Sequence, residues 1–139
     1  MSMQSITATC LGESNARDAV YLDSLTQDGN SLVFSGEING ELCSLATREW
    51  ISYTLSFSDV SGYDCRSIDS CDWELASNFS VVERSTWLEE LRDDEPHKEF
   101  LLATYDFVYR ISATGFAFVE LGRRPFGSAS PGTSHRSAR

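Results

Sequence analysis

Apolar and polar side chains alternate most regularly over residues 50–57, WISYTLSF. One set of positions holds Ile51, Tyr53, Leu55 and Phe57, and the other set holds tryptophan, serine and threonine. Successive side chains of a strand point to opposite faces of its sheet, so a period of two indicates a strand with one buried face. The pattern therefore predicts a strand here with its aromatic and aliphatic side chains in the core.

Two chain reversals are predicted before this strand. Residues 26–30, TQDGN, separate two apolar segments, and the Asp-Gly pair that ends at Gly29 tolerates the backbone angles of a tight turn. Asn39 and Gly40 tolerate the same angles. We therefore expect a β-hairpin around Gly29 and another change of direction at Gly40.

The period changes after about residue 80. Thr86 and Glu89 have the spacing of a capping box, in which a hydroxyl and a carboxylate bond the free amides at a helix start, and Ser80 and Glu83 share that spacing. A short helix packed on the sheet is therefore expected. Its apolar stripe comprises Trp87, Leu88 and Leu91.

The most apolar part of the chain, residues 97–121, follows this helix. Residues 99–105, EFLLATY, are apolar at both sets of alternating positions, which is typical of a central strand covered on both faces. For residues 106–114 the favoured interpretation is a helix capped by Asp106 and ended by Gly115. A hairpin is the alternative, because Phe, Val, Tyr and Ile prefer strands. A last strand is expected after Gly115.

Taken together, these elements predict an α+β fold. We expect a single, mostly antiparallel sheet of about five to seven strands with one or two short helices packed on it. Residues 1–121 are expected to form one compact domain, a size that buries enough apolar surface for a core. Residues 122–139 are rich in Gly, Ser, Pro and Arg, and a basic disordered tail is expected there.

The charge of the protein is unevenly distributed. Its 139 residues have a formal net charge of −10. Residues 122–139 contain four arginines and no acid, so residues 1–121 have 7 basic against 21 acidic side chains, a net charge of −14. An acidic body repels nucleic acid and anionic lipid and favours a basic protein partner. We therefore expect no membrane association and no nucleic-acid partner, with simple solubility as the alternative explanation.

The beginning of the chain and the cysteines bear on location. Residues 1–17 lack the basic segment and apolar stretch of a secretory signal, so a cytoplasmic location is expected. Reduced, mostly buried thiols are expected in that compartment, with a bridge between Cys65 and Cys71 or a redox role as alternatives.

Sequence motifs for catalysis and cofactor binding are missing. Neither of the glycine-rich phosphate loops G-x-G-x-x-G and G-x-x-x-x-G-K-[ST] occurs, and His97 has no cysteine pair at zinc-ligand spacing. The carboxylates of residues 63–74 could bind a hard cation, but the order of an EF-hand is missing. We therefore expect no cofactor, no metal and no catalytic residue, and an enzyme is the less favoured interpretation.

Aromatic residues beside acids are the remaining candidates for a binding site. Trp50 lies at a polar position of the best strand, and Trp73 follows Asp72 in an acidic segment. Exposed indoles ringed by charge are typical of a docking face, so the favoured function is an acidic interaction module, of inhibitor or immunity type, that docks a basic protein.

Two alternatives to this function remain open. A small-molecule-binding protein or modest enzyme could form a pocket around Tyr105, Asp106 and Tyr109, where acid and phenol groups cluster at a predicted strand end. A homodimer, in which strand edges or tryptophan-bearing faces bury each other, is the other alternative.

Residues 85–121 contain STWLEEL, PHKEFLLA and TYDFVYRISATGFAFVEL in this order. They resemble small uncharacterised bacterial proteins, some carried on mobile gene cassettes, in which an S-x-W helix precedes a strand and a YDDVFEVVA-like segment. Phe107 and Arg110 replace the second Asp and the Glu of that segment, so any role of those acids does not transfer. The resemblance implies a compact bacterial α+β domain and no particular activity.

Overall fold

The computed structural model describes residues 3–43, 47–82, 85–91 and 96–127. Nine β-strands and one short α-helix lie within these ranges. They are β1 (Met3–Ser5), β2 (Val20–Asp28), β3 (Ser31–Asn39), β4 (Glu49–Ser58), β5 (Gly62–Ser67), β6 (Phe79–Val82), α1 (Thr86–Glu90), β7 (Lys98–Ala103), β8 (Phe107–Ala113) and β9 (Gly115–Pro125).

The strands form two antiparallel sheets, one in the order β1-β6-β7-β8-β5 and one in the order β2-β3-β4-β9. The sheets pack face to face through aromatic rings. Phe34 of the four-stranded sheet lies 5.1 Å from Tyr109 of the five-stranded sheet, and Phe57 lies 5.4 Å from Phe100, centre to centre. The fold is therefore a mostly-β sandwich, and the predicted α+β class with a single sheet is wrong.

Part of this error comes from residues 106–114, where the favoured helix is also wrong. The segment forms strand β8, which pairs with β7 through a turn. Thr104 closes the turn, since its hydroxyl donates to the Phe107 carbonyl at 2.8 Å and accepts from the Phe107 amide at 3.2 Å. Asp106 therefore lies in a turn and caps no helix, and the strand preference of the following residues prevails.

Several local predictions are confirmed. In β4 the side chains of residues 51, 53, 55 and 57 are buried, and β2 and β3 form the hairpin at Gly29, whose φ is +60°. The helix after residue 80 is also present. Its N-cap is Ser85, whose hydroxyl accepts from the Leu88 amide at 3.1 Å, and the predicted capping residues Ser80 and Thr86 do not have this role.

The five-stranded sheet is covered on both faces. Phe100 and Leu102 of β7 lie in the core between the sheets, whereas Leu101 points to the opposite face and is also buried. Leu88 of α1 and Val82 of β6 are buried as well, outside the core between the sheets. The prediction of a central strand that is apolar on both faces is therefore confirmed for β7, and its second face is the location of the site described below.

The last strand extends past the predicted domain end at residue 121. β9 continues to Pro125, and Arg124 on it donates two 3.0 Å hydrogen bonds to Glu37 of β3. Residues 128–139, which include most of the predicted disordered tail, lie outside the described residues. Within the described ranges, no helix has the length and apolar composition needed to cross a bilayer.

Candidate functional site

A cavity of about 250 Å³ lies on the outer face of the five-stranded sheet. We call it the outer cavity. Strands β6, β7 and β8 provide its floor, and its walls come from α1 and from residues 73–76. Its lining residues are Met3, Trp73, Glu74, Leu75, Ala76, Val82, Thr86, Trp87, Glu99, Leu101 and Arg110.

Strand pairing determines the floor of the outer cavity. Leu101 of β7 lies directly opposite Arg110 of β8, and Glu99 lies two positions before Leu101 on the same face. Val82 of β6 lies opposite Glu99. An acid, a base and two aliphatic side chains are therefore held next to one another on rigid strands.

Arg110 lies between two indole rings. Its guanidinium carbon is 4.5 Å from the ring centre of Trp73 and 4.4 Å from that of Trp87. These distances are within the range of attractive cation–π contacts. A terminal nitrogen of Arg110 also lies 3.5 Å from a carboxylate oxygen of Asp64 on β5. The cation is therefore held in one orientation by groups from three different parts of the chain.

Glu99 is the buried acid of the outer cavity. Its side chain is 7% exposed, and its carboxylate accepts a hydrogen bond from the Ser85 hydroxyl at the start of α1. Burial raises the pKa of Glu99, although the Ser85 hydrogen bond and the charge of Arg110 act in the opposite direction. The site therefore combines a fixed cation with a carboxyl group that accepts a proton more readily than an ordinary glutamate.

The three aspartates of residues 63–74 pair with arginines. Asp72 lies 3.2 Å from Arg66, and Asp69 lies 2.6 Å from Arg17. In the described part of the chain, no group of three or more His, Cys, Asp or Glu side chains could hold a metal ion. The structure thus gives these aspartates charge partners within the protein.

Trp73 and Asp72 are the predicted binding residues that lie at or beside the outer cavity. Trp73 lines it, and the Arg66 guanidinium also lies over the Trp73 ring at 4.7 Å. Asp72 is exposed on the preceding position and pairs with Arg66. The sequence thus singles out Trp73, although for a docking face and not for a cavity.

Trp50 and Tyr105 come together at a different place, on the outer face of the four-stranded sheet. Tyr21 lies between them, with its ring centre 5.7 Å from Trp50 and 5.3 Å from Tyr105. Phe126 extends this row from the other side of Trp50, at 5.3 Å. We call the four rings the aromatic band. Trp50 thus lies on the opposite side of the molecule from α1 and not beneath it.

Of the other two predicted residues, Tyr109 lies apart from both sites, whereas Asp106 directly follows Tyr105 of the aromatic band. The Tyr109 side chain is in the core between the sheets, where burial raises its pKa to about 12. Asp106 is exposed in the turn before β8. Neither of them, nor Tyr105, lines the outer cavity or either of two smaller cavities formed by the described residues.

Sequence reasoning missed three residues of the outer cavity, namely Trp87, Glu99 and Arg110. Trp87 was assigned to the apolar stripe of a helix, and Arg110 to a helix that does not form. A charged residue in the middle of a strongly apolar segment was the available signal for Arg110, since such a residue needs a partner when the segment is buried.

Comparisons with known proteins add no relative. No family model, no curated protein and no solved structure matches the chain. The resemblance of residues 85–121 to small bacterial proteins therefore stays a hypothesis, and the geometry of the outer cavity and of the aromatic band is what supports a function.

Proposed function

We propose that the protein binds a small organic molecule in the outer cavity. The observation that carries this proposal is the position of Arg110 between Trp73 and Trp87, at the floor of a cavity that the buried Glu99 also lines. Ligand sites are typically concave and mostly apolar, with a few fixed polar groups that orient the ligand. The outer cavity combines apolar lining residues with a larger polar share, and its Glu99 and Arg110 are held in place on strands.

The size of the cavity bears on the size of the ligand. At about 250 Å³ it lies just below the range of about 300–1,000 Å³ that is typical of sites for drug-sized molecules. The ligand is accordingly a small metabolite or one small group of a larger molecule. The Ser85 hydroxyl that bonds Glu99 also caps α1 and does not line the cavity. We therefore propose binding without chemistry.

A cavity-blocking variant tests the proposal. Ala76 is exposed at the rim of the outer cavity, and Ala117 is exposed on β9 of the other sheet. A library of small metabolites is screened by ligand-observed NMR against the wild type, Ala76→Phe and Ala117→Phe. We expect compounds that bind the wild type and Ala117→Phe but not Ala76→Phe. Binding that is unchanged in Ala76→Phe, or a library without any binder, would contradict the proposal.

Docking of a basic protein is a second candidate function, and the aromatic band favours it. The band joins Trp50, which was predicted to lie on a docking face, to Tyr105, which was predicted to lie at a small-molecule pocket. The exposed acids Asp23 and Asp106 lie close to Tyr21 and Tyr105 in the sequence. Aromatic rings with surrounding charge are typical of interface hot spots.

Capture of a basic protein from a bacterial lysate at low and high salt tests this second function. Capture should weaken with salt and be lost in the charge-reversal variant Asp23→Lys/Asp106→Lys.

Light scattering of the purified protein tests the homodimer in the same samples. We further propose a cytoplasmic location, which the four free cysteines support.

A further inference from the structure

Arg110 differs from Arg124 and Arg17 in its hydrogen bonding. Arg124 donates two 3.0 Å hydrogen bonds to Glu37, and Arg17 donates a 2.6 Å hydrogen bond to Asp69. By contrast, the Arg110 Nε is buried and has no hydrogen-bond partner among the residues that the structure describes. A guanidinium has five N–H donors, and a buried donor without a partner costs free energy. Arg110 is therefore held rigidly while part of its hydrogen-bonding capacity stays unused.

The tryptophan clamp explains why Arg110 stays in this place without hydrogen bonds. Indole faces attract a cation but accept no conventional hydrogen bond, so they fix the guanidinium plane and leave its N–H edges available. The contact with Asp64 is 3.5 Å, long for a charge-assisted hydrogen bond. The Nε itself is enclosed by protein, so the groups of Arg110 that can meet a ligand at the cavity are its terminal N–H groups. Their planar arrangement matches the two oxygens of a carboxylate.

We propose that the outer cavity takes a small carboxylate with an apolar body, and that Arg110 binds its two oxygens. This inference rests on the small-molecule function proposed above and specifies the class of ligand. The apolar body would contact the aliphatic and indole walls, among them Val82, Leu101 and Trp87.

The charges around the cavity favour a singly charged anion. Asp64 already lies beside Arg110, and Glu74 and Glu99 line the cavity, so a doubly charged phosphate would meet strong repulsion. Burial raises the pKa of Glu99, which favours its neutral form and weakens the repulsion of a carboxylate. A monovalent acid of modest size thus fits both the charge and the volume of the cavity.

Calorimetric titration with benzoate and with its neutral analogue benzamide tests the inference. The variant Arg110→Lys keeps the positive charge between the indoles but lacks the planar fork. Arg66→Lys is the matched control, because Arg66 also lies over the Trp73 ring but is exposed and does not line the cavity. Circular dichroism verifies that each variant is folded.

We expect benzoate to bind the wild type and Arg66→Lys equally, and to bind Arg110→Lys about tenfold more weakly. Benzamide should bind the wild type about tenfold more weakly than benzoate. In NMR spectra, benzoate should shift the indole N–H signals of Trp73 and Trp87 and leave that of Trp50 in place.

The possible failures can be told apart. If benzamide binds as well as benzoate, and Ala76→Phe abolishes both, the outer cavity is a ligand site but the carboxylate inference is overturned. If benzoate binds Arg110→Lys as tightly as the wild type, the inference is also overturned. If neither compound binds and the metabolite screen finds no ligand, the proposed function fails together with it.

Discussion

Glu37 on β3 and Arg124 on β9 form an ion pair with two 3.0 Å hydrogen bonds, although β4 lies between their strands. The Glu37 side chain is 8% exposed and that of Arg124 is 17% exposed. The Arg124 guanidinium also lies 5.7 Å from the ring centre of Trp50 in the aromatic band. The pair thus ties the last strand to the middle of its sheet.

Arg124→Ala should therefore destabilise the protein by about 2–3 kcal/mol, because it leaves the Glu37 carboxylate buried without this partner. Urea unfolding at neutral pH measures the change. Arg123→Ala is the control: Arg123 pairs with Glu120 and Glu49 at the surface, and its loss should cost little. Equal effects of the two variants would contradict the role given to the buried pair.

Residues up to Pro125 belong to the sheet, although the sequence predicted a boundary at residue 121. The segment after Leu121 is polar and rich in glycine and arginine, and its composition resembles a tail. The segment belongs to β9 because it pairs with β4 and because Arg124 forms hydrogen bonds with Glu37. Such long-range contacts leave no local pattern, whereas the hairpin at Gly29 depends on residues adjacent in sequence and could be predicted.

The same distinction explains the error in fold class. The alternation in β4 predicts a strand but does not show which strands pair with it, so one sheet could not be told from two. Helix and strand also compete over 106–114, where Asp106 and Gly115 resemble helix ends. The pairing of β8 with both β5 and β7 decides the outcome. Trp73 was recognised because it stands beside acids, but Trp87 and Arg110 approach it only in the folded chain.

Gly36→Ala should destabilise the protein by about 2 kcal/mol or more. A Cβ atom at Gly36 would lie 2.0 Å from the Tyr21 carbonyl oxygen, so the backbone of β2 would have to move. Gly122→Ala on β9 is the matched control, because a Cβ atom there would have no neighbour within 4 Å. Thermal unfolding of both variants measures the difference. If the stability of Gly36→Ala equalled that of the wild type, β2 would be able to move away from the added Cβ atom at no cost.

Glu99→Gln should change the pH dependence of stability. Burial raises the pKa of Glu99 in the folded protein, so the folded state binds the proton more tightly than the unfolded chain. The stability that protonation contributes is therefore present below the pKa of the unfolded chain and is lost as the pH rises through the folded pKa. A tenfold difference in proton affinity corresponds to about 1.4 kcal/mol.

Urea unfolding of the wild type and Glu99→Gln between about pH 4 and pH 7.5 tests this prediction, since an ordinary glutamate titrates near the lower end of that range. The variant should gain in stability relative to the wild type as the pH rises. Glu90→Gln, at an exposed position of α1, controls for the change in net charge. A constant difference between Glu99→Gln and the wild type over the whole range would contradict the raised pKa.

The four free thiols should differ widely in reactivity. Cys65 is exposed on β5, whereas Cys10 and Cys43 are buried. A hydrogen bond with the Cys43 thiol, together with burial, raises the pKa of Cys10, and the same hydrogen bond lowers the pKa of Cys43. A thiol reagent at neutral pH should therefore modify Cys65 first and the two buried thiols about a hundredfold more slowly, after local opening.

Mass spectrometry of peptides after timed labelling identifies each modified thiol. Cys65→Ser should remove the fastest phase and leave the phases of the half-buried Cys71 and of the two buried thiols. Denaturant should then make all remaining thiols react at similar rates, since burial no longer protects them. Cys10 should react more slowly than Cys65, because its thiol is buried and its pKa is raised. If Cys10 reacted as fast as Cys65 in the native protein, the 3-10 turn at Cys10–Glu13 would have to open readily, and its packing against the sandwich core would be weaker than the structure indicates.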